Sequence, residues 1–332
     1  MKKVPVALIF FNRPEPLERT FEPIRLYKPD TLFLIQDGVR ETKKQTDLEK
    51  IEACREVVEN IDWECNVIKI YSDKNLGCGF RIYSGVKEAF EHVDRLVIIE
   101  DDIICSSSFF TFCEEMLERY KDESHIHLVS GMNPLGVYER CPYSYFFSPG
   151  GGSIWGWATW KRVWDTFDYE MTWYEDKYVR ESFLSRAVKG RKASEAVAKN
   201  FNDMLRNGIK LTAWSASFGC TSHLYYRLNI IPKYNLTSNI GLTGDSVHAT
   251  SNDNMLAPHV RALFNMKTYD LEQPLVHPKY MFADLDYENE FMNFQMIGNS
   301  RQKIKAKIAH YYRILRYGGL LYIVQKLKKR NI

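Results

Sequence analysis

Three consecutive acidic residues, Glu100, Asp101 and Asp102, directly follow the apolar segment 95–99. Adjacent carboxylates repel one another, and they stay ionised only where water or a shared cation offsets their charge. Hard divalent ions such as Mg²⁺ and Mn²⁺ prefer oxygen ligands and usually keep coordination positions open for phosphate. The triplet therefore predicts a divalent-cation site for a phosphate-bearing substrate, with a solvated acidic loop as the alternative.

Polar residues follow the other apolar segments in the first part of the chain in the same way. The apolar segments are 4–11, 31–35, 66–71 and 95–99. The polar residues after the first three are Asn12, Arg13, Asp37 and Asp73. Because helical patterns separate the segments, the sequence predicts an α/β fold with a mostly parallel central sheet flanked by helices. Ligands of such sheets bind at the carboxyl ends of the strands, so we expect these residues and the triplet to share one edge.

The side chains expected at this edge suit a nucleotide diphosphate. The planar fork of Arg13 can stack on a base or pair with phosphate, and Asp37 can accept a hydrogen bond from a uracil N3–H. Asp73 and Gly77 precede a helical pattern with Arg81 one turn inside, and a helix start with a nearby cation favours diphosphate. Each of these residues also has a plainer interpretation, as part of a turn or of a solvated surface.

Composition and cysteine usage exclude several classes of protein. With 332 residues, of which 45% are hydrophobic and 26% charged, the chain is neither a disordered polymer nor a coiled coil. Its seven cysteines form no CxxC pair, which argues against a disulfide framework and against a structural zinc site. The apolar start contains Pro5 and ends without a small-residue cleavage site, so it predicts a first strand rather than a signal peptide.

The last segment of the chain differs in charge from the rest. Residues 301–332 contain ten Lys and Arg and no Asp or Glu, which leaves 35 Lys and Arg against 42 Asp and Glu in residues 1–300. Ile304, Ile308, Tyr311 and Leu315 fall on one helical face among these cations. A basic amphipathic helix is typical of binding to an anionic membrane surface, and a helix packed on its own domain is the alternative. Since no run of about 18 apolar residues exists, we expect a cytoplasmic protein, with the tail as a peripheral contact to the inner face of the membrane.

In their order and spacing, these residues resemble the GT-A fold of nucleotide-sugar glycosyltransferases. The chain is similar to N-acetylglucosaminyltransferase I and to bacterial family-2-like glycosyltransferases over roughly residues 4–180. The segments that carry the resemblance are 6–13, Gln36-Asp37-Gly38, Glu100-Asp101-Asp102 and 147–157. The resemblance implies that Arg13 contacts the nucleotide, that Asp37 reads the base, and that Asp102 contacts the metal.

The resemblance also implies substrates, a cofactor and further site residues. The donor would be a UDP-sugar, the cofactor Mn²⁺ or Mg²⁺, and the acceptor a glycan or lipid-linked glycan of cell-envelope polysaccharide synthesis. His248 would be a second metal or diphosphate ligand, and Glu175 or Asp176 would be the base that deprotonates the acceptor. Together, the residues expected in the donor site are Asn12, Arg13, Asp37, Asp73, Gly77, Arg81, Glu100, Asp101 and Trp157. We expect a nucleotide-sugar-binding half at 1–130, an acceptor-side half of the same domain at 131–299, and a basic helical tail at 300–332.

Several alternatives remain at this stage. Some bacterial relatives carry an acid just after a Trp near position 214, but this chain reads Trp214-Ser215-Ala216-Ser217, so both an inverting and a retaining transfer stay open. A nucleotidyltransferase or an NAD enzyme would need a Gly-rich loop after the first strand, and Phe11-Asn12-Arg13-Pro14 is not one. A non-catalytic module that binds membranes or nucleic acid would explain the tail but would leave the triplet without a role; we expect no nucleic-acid partner.

Overall fold

The apolar segments of the first 130 residues form strands, and strands from the second half extend the same sheet. The computed structural model describes residues 3–190, 214–242, 256–296 and 300–317. The strands are β1 (Val6–Phe10), β2 (Thr31–Gln36), β3 (Asn66–Tyr71), β4 (Arg95–Glu100), β5 (Ile103–Cys105), β6 (Ile126–Ser130), β7 (Tyr145–Ser148), β8 (Trp157–Trp160), β9 (Leu228–Pro232) and β10 (Thr237–Asn239).

Helices cover the sheet and connect its strands. They are α1 (Pro14–Tyr27), α2 (Lys44–Glu59), α3 (Cys78–Ala89), α4 (Ser107–Arg119), α5 (Lys161–Trp164), α6 (Lys177–Gly190), α7 (Trp214–Leu224), α8 (Pro258–Arg261), α9 (Leu285–Phe294) and α10 (Ser300–Tyr317). Short 3₁₀ turns lie at Glu41–Lys43 and Thr172–Tyr174. In the part of the chain that the structure describes, no helix is both long and apolar enough to cross a bilayer.

Within the described residues, the main sheet has eight strands in the order β3-β2-β1-β4-β8-β6-β9-β7. Strands β3, β2, β1 and β4 are parallel, and so are β6 and β9, whereas β8 and β7 run antiparallel to their neighbours. All five residues of β1 are buried, as expected for a strand covered on both faces. The predicted α/β fold with a mostly parallel central sheet is therefore confirmed, and residues 6–10 form its first strand.

The register of the sheet brings four strand ends to one level. Phe10 pairs with Gln36, Gln36 pairs with Tyr71, and Ile9 pairs with Glu100. The turns that follow β1 and β2, the loop before α3, and the acidic triplet after β4 consequently meet at the carboxyl edge.

A second, two-stranded sheet adds a distant segment to this edge. Strand β10 pairs antiparallel with β5, which directly follows the triplet, so that Asn239 lies opposite Ile103. The Ile240 N–H then donates to the Asp102 carbonyl at 2.8 Å. Residues 239–241 are thereby placed beside the triplet, although more than 130 positions separate them in sequence.

The aromatic stretch after the Gly-rich loop belongs to the core. Trp157 is fully buried on β8, between β4 and β6, and its ring packs against Trp164, Trp214 and Phe218 at centroid distances of 5.3 to 6.1 Å. The prediction that Trp157 contacts the donor or the acceptor is wrong, because a central strand covered by helices leaves this ring no exposed surface.

Candidate functional site

The turn between β1 and α1 delivers Arg13 to the acidic triplet. Proline is tolerated in the first turn of a helix, so Pro14 begins α1, and the Arg13 carbonyl accepts from the Leu17 N–H at 3.2 Å. The Arg13 side chain turns towards the end of β4. Its Nη2 contacts Asp101 Oδ1 and lies 2.9 Å from Asp102 Oδ2. One guanidinium thus bridges two adjacent carboxylates.

This cluster is largely removed from water. The side chain of Asp101 is 5% exposed and that of Asp102 is 13% exposed, against 19% for Arg13. Burial disfavours the charge of the guanidinium, but the two carboxylates together raise the pKa of Arg13 above its ordinary value. Burial also raises the pKa of Asp101 to about 6, against the opposing effect of Arg13. The cluster therefore has more buried negative charge than Arg13 alone offsets.

Among the carboxyl groups at this edge, that of Glu100 has the largest shift in pKa. Burial, followed by the charges of Asp102 and Asp101, raises the pKa of Glu100 to about 8. A carboxyl group with a raised pKa is stabilised as the neutral acid and resists ionisation unless a cation arrives. The edge is consequently poised to accept positive charge in addition to Arg13.

Replacement of Glu100 by Gln should stabilise the metal-free protein at alkaline pH. Because the folded-state pKa of Glu100, about 8, lies above the ordinary value of 4.5, its contribution to stability is complete below about pH 4.5 and is lost as the pH rises through about 8. At pH 9 we expect the unfolding free energy of Glu100→Gln to exceed that of the wild type by about 2 kcal/mol. This is less than the full pKa shift of Glu100 would give, because Glu100 titrates together with the neighbouring acids. Urea unfolding in the presence of a chelator measures the difference.

The control for this measurement is Glu64→Gln at an exposed position. At pH 4.5 Glu100 is a neutral acid in the folded protein, much like the amide of Gln, whereas at pH 9 it is ionised. A Glu100→Gln effect on the unfolding free energy that is the same at pH 4.5 and pH 9 would therefore contradict the raised pKa.

Asp37 joins the loops that follow β2 and β3. Its Oδ1 accepts from the Gly38 N–H at 3.0 Å and the Leu76 N–H at 2.8 Å, and its Oδ2 accepts from the Gly77 N–H at 2.9 Å. Gly38 allows this close approach, because a Cβ there would lie 2.6 Å from the backbone of Lys74. Asp37 thus holds the start of α3 in place, and base recognition by its carboxylate stays a prediction.

The N-terminus of α3 lies between Asp37 and the triplet. Cys78, at its first position, is exposed and lies close enough to Glu100, Asp101 and Asp37 for their negative charges to raise the pKa of its thiol. Gly77 precedes the helix with φ of +79°, a backbone conformation that favours glycine. The positive end of a helix dipole is therefore adjacent to the acidic edge, as an anionic ligand would require. Sequence reasoning missed Cys78, whose only signal was its position after Gly77.

Two other residues predicted for this loop occupy different environments. Asp73 is exposed in the loop before α3. Arg81 is buried between α3 and the end of β3, where its Nη2 donates to the Ile70 carbonyl at 2.7 Å. Burial lowers the pKa of Arg81 despite the charge of Asp37. Arg81 is a buried structural cation in this conformation, and its contact with a diphosphate stays a prediction.

A buried aspartate that sequence reasoning missed links the turns after β1 and β2. Asp47 on α2 accepts from Asn12 Nδ2 at 2.8 Å and from Arg40 Nε and Nη2 at 2.7 and 2.6 Å. The hydrogen bonds from Arg40 lower the pKa of Asp47 to about 2. The Arg40 guanidinium in turn lies 5.2 Å from the centre of the Phe11 ring. Asp47 thus fixes Asn12, one of the predicted donor-site residues, beside the cluster.

The residues at the end of β10 and just after it contact Asp102. Asn239 Nδ2 lies 3.5 Å from Asp102 Oδ1, and the Gly241 N–H donates to Asn239 Oδ1 at 2.7 Å. A Cβ on Gly241 would stand 2.0 Å from Asp102 Oδ2, closer than any contact allows. His248, predicted as a second metal ligand on this segment, lies outside the described residues, and its role stays a prediction.

A buried glutamate on α9 accepts hydrogen bonds from Ser148 and from the Gly-rich loop at 150–152. Glu288 accepts from the Ser148 hydroxyl and from the Gly150 N–H, the latter at 3.0 Å. The Gly151 N–H donates to Ser148 Oγ at 2.7 Å. Sequence reasoning missed Glu288, because a glutamate in an amphipathic helical pattern carries no sign of such burial.

The two candidate bases lie at the start of α6. Glu175 and Asp176 are both exposed, and Asp176 Oδ1 accepts from the Val179 N–H at 3.0 Å in the manner of a helix N-cap. Among the hydrogen bonds and ion pairs of the described residues, none joins either carboxylate to the triplet. The structure therefore leaves the assignment of the base as a prediction.

The residues present fit a hard divalent cation only in partnership with a substrate. Within residues 3–190, 214–242, 256–296 and 300–317, no group of three His, Cys, Asp or Glu side chains is arranged to hold a metal ion. Mg²⁺ and Mn²⁺ are commonly bound through one or two carboxylates together with substrate phosphates, and Asp102 and Asp101 supply such a pair. Arg13 contacts both carboxylates, so a bound ion would either share their oxygens with Arg13 or displace it from them.

No protein-family model and no curated protein sequence matches the chain. Among solved structures it is similar to HddC from Yersinia pseudotuberculosis, at 13% identity and a TM-score of 0.25, over 38% of this chain and 57% of that one. It is also similar to 4-diphosphocytidyl-2C-methyl-D-erythritolsynthase from Anaerococcus prevotii, at 12% identity and a TM-score of 0.24, over 39% and 55% of the two chains. For apo-UDP-glucose pyrophosphorylase the identity is 9% and the TM-score 0.36, over 71% and 93%. The chain thus spans a little over half the length of the first two proteins, and at these TM-scores the similarity does not assign it to a family.

Proposed function

We propose that this chain is a nucleotide-sugar-dependent glycosyltransferase whose donor lies across the carboxyl edge of β1, β2 and β4. The observation that supports this most directly is the cluster of Arg13, Asp101 and Asp102, which the N-terminus of α3 approaches from the side of β2. A guanidinium, a helix N-terminus and acidic oxygens within one small region suit a diphosphate that arrives together with a divalent cation.

Each residue then has a separate task. Arg13 and the backbone at the start of α3 bind the diphosphate, and Asp37 faces the base from the end of β2. Asp102, with Asp101, would hold Mn²⁺ or Mg²⁺, and the ion would supply positive charge that neutralises the diphosphate leaving group. Asp47 keeps Asn12 and the turn after β1 in position.

The turn after β1 favours a sugar nucleotide over a nucleoside triphosphate as the donor. Only Phe11, Asn12 and Arg13 separate β1 from α1, and Arg13 already begins the helix through its carbonyl. A triphosphate and its departing pyrophosphate would need an extended, glycine-rich loop at this point, and the three-residue turn offers few backbone N–H groups. We therefore favour glycosyl transfer over nucleotidyl transfer.

The reaction products decide between these two chemistries. The protein should be incubated with Mn²⁺ and a panel of UDP-sugars, with and without glycan acceptors, and separately with nucleoside triphosphates and sugar 1-phosphates. Glycosyl transfer releases a nucleoside diphosphate, whereas nucleotidyl transfer releases pyrophosphate. Pyrophosphate release without any nucleoside diphosphate would contradict the proposed function.

The acceptor side carries the second half of the proposal. We propose that the acceptor is a glycan or a lipid-linked glycan, that the transfer is inverting, and that Glu175 or Asp176 removes the proton of the acceptor hydroxyl. A retaining transfer is the competing reaction, because the segment that follows Trp214 has no carboxylate.

Neutral variants of the two acids test the base. Glu175→Gln or Asp176→Asn should lower turnover by roughly 10²- to 10⁴-fold with donor affinity nearly unchanged, because a base acts on the acceptor and not on the nucleotide. Asp176→Asn also removes a helix cap, so its unfolding free energy must be measured alongside. Wild-type turnover in both variants would remove both candidates and favour the retaining reaction.

Gly241 offers a test that leaves the charges of the site unchanged. Gly241→Ala adds one methyl group that would stand 2.0 Å from Asp102 Oδ2, so either the carboxylate or the segment after β10 must move. We expect Mn²⁺-dependent UDP binding to weaken about tenfold, since displacement of a ligand by about 1 Å is costly. Gly219→Ala is the matched control, because nothing lies within 4 Å of its Cβ position on α7. Equal UDP affinity in the two variants would contradict the place assigned to Asp102.

A further inference from the structure

Helix α10 turns its apolar stripe outward. Ile304, Ile308, Tyr311 and Tyr312 are 57%, 64%, 52% and 55% exposed. At 3.6 residues per turn these positions lie on one face, which we call the α10 stripe. The stripe is among the largest groups of exposed apolar side chains that one element of the described chain presents.

The opposite face of α10 packs against the rest of the protein. Gln302 Oε1 and Arg313 Nε are buried, and Ala306 and Ala309 are partly buried. Arg313 is close enough to α8 for its charge to contribute, after burial, to the lowered pKa of His259. A surface helix ordinarily buries its apolar side and exposes its polar side. The reversed orientation of α10 is typical of a helix whose apolar face contacts a partner other than the described part of its own chain.

Cations surround the stripe on all sides. Lys305 and Lys307 flank Ile304 and Ile308, and all of the cations named here are exposed. Arg301 and Arg316 lie near the two ends of the helix. Among the described residues, Arg301, Lys305 and Lys307 form no ion pair with a carboxylate. The partner must therefore be both apolar and anionic.

We propose that α10 binds the surface of an anionic lipid bilayer and lies in the plane of the headgroups. The stripe would enter the boundary between headgroups and acyl chains, and the lysine stems would extend to the lipid phosphates. Each cation near an anionic membrane adds to the attraction, and no acid from residue 301 to the end of the sequence opposes it. A symmetric contact with α10 of a second copy would place these cations against one another. This inference does not depend on the proposed glycosyl transfer.

Co-sedimentation with vesicles tests the proposal on the full chain. Vesicles of equal parts phosphatidylcholine and phosphatidylglycerol should retain the protein at low salt and release it as ionic strength rises, because salt screens the attraction. Vesicles of phosphatidylcholine alone should retain much less. The double variant Ile304→Ser with Ile308→Ser should bind the anionic vesicles about tenfold or more weakly.

Two further variants distinguish the α10 stripe from other exposed aromatic side chains and from the cations beside it. Tyr280→Ser with Phe282→Ser removes two other exposed aromatic side chains, which are 67% and 60% exposed, and should leave vesicle binding unchanged. Lys305→Glu with Lys307→Glu should abolish the preference for the anionic lipid. Because all six side chains are exposed, the variants should fold normally, and circular dichroism checks this.

Three results would overturn the proposal. The first is an intact protein that anionic vesicles never retain. The second is vesicle binding that the Ile304→Ser, Ile308→Ser variant keeps in full. The third is a dimer in solution, detected by light scattering, that this double variant dissociates, because the stripe would then be a contact between protein copies.

Discussion

Asp102→Asn is expected to reduce glycosyl transfer from a UDP-sugar by about 10³-fold or more. The substitution keeps the shape of the side chain and its neighbour Asn239, but it removes one of the negative charges that would hold the proposed divalent cation. The charge that develops on the leaving diphosphate would then lack its neutralising partner, and in a largely buried site this would cost several kcal/mol. Steady-state release of UDP, with Mn²⁺ in excess, measures the effect.

The matched control is Asp165→Asn, which neutralises an exposed aspartate that pairs with Lys161 on the short helix α5. Its turnover should equal that of the wild type. If Asp102→Asn is also as active as the wild type, the acidic triplet is not the metal-binding centre, and the donor must bind elsewhere.

Arg13→Ala should lower the unfolding free energy by about 3 kcal/mol, because it leaves the buried carboxylate of Asp101 without its cation. The loss should be larger at pH 8 than at pH 5, since a carboxyl group whose pKa is already about 6 escapes the penalty at lower pH by taking up a proton. Urea unfolding at the two pH values measures both quantities. Arg25→Ala, which removes a surface ion pair with Asp62, should lower the unfolding free energy much less at either pH, because solvent screens exposed charges.

A double substitution tests whether the cost comes from the unpaired charge. Arg13→Ala with Asp101→Asn should be more stable than Arg13→Ala alone, because the more buried of the two carboxylates that Arg13 contacts then carries no charge. Simple additivity of the two single effects would contradict the assigned ion pair. A wild-type unfolding free energy in Arg13→Ala would contradict it more directly.

The fold and the cluster at its carboxyl edge follow from local patterns in the sequence. Short apolar runs that alternate with helical patterns predicted the sheet, and polar residues at strand ends predicted which side chains meet at one edge. Arg13 and Asp101 were both expected at that edge, and they are in contact there. These features depend on nearest neighbours in the chain, and such information is present in a single sequence.

The residues that hold the site together depend instead on contacts between distant parts of the chain. Asp47 lies in an ordinary helical pattern, and its burial results from the way α2 packs against the turns after β1 and β2. Gly241 meets Asp102 only because β10 pairs with β5. Neither pairing leaves a local signal in composition, spacing or periodicity.

The error over Trp157 has a related cause. A tryptophan just after a Gly-rich loop is a reasonable contact for a sugar when position along the chain is the only guide. Strand β8, however, inserts antiparallel between β4 and β6 near the middle of the sheet, and its side chains point into the layers of helix on either side. Strand order is set by the whole fold, so the sequence pattern alone could not predict this burial.

The central claim is that the acidic triplet and Arg13 bind a nucleotide diphosphate together with a divalent cation. Calorimetric titration of the wild type and of Asp102→Asn with UDP, each in Mn²⁺ and in EDTA, tests it most directly. We predict UDP binding by the wild type that is at least about tenfold tighter in Mn²⁺ than in EDTA, and no such difference in Asp102→Asn. UDP affinity that is the same in Mn²⁺ and in EDTA, or a metal effect that Asp102→Asn retains in full, would contradict the claim.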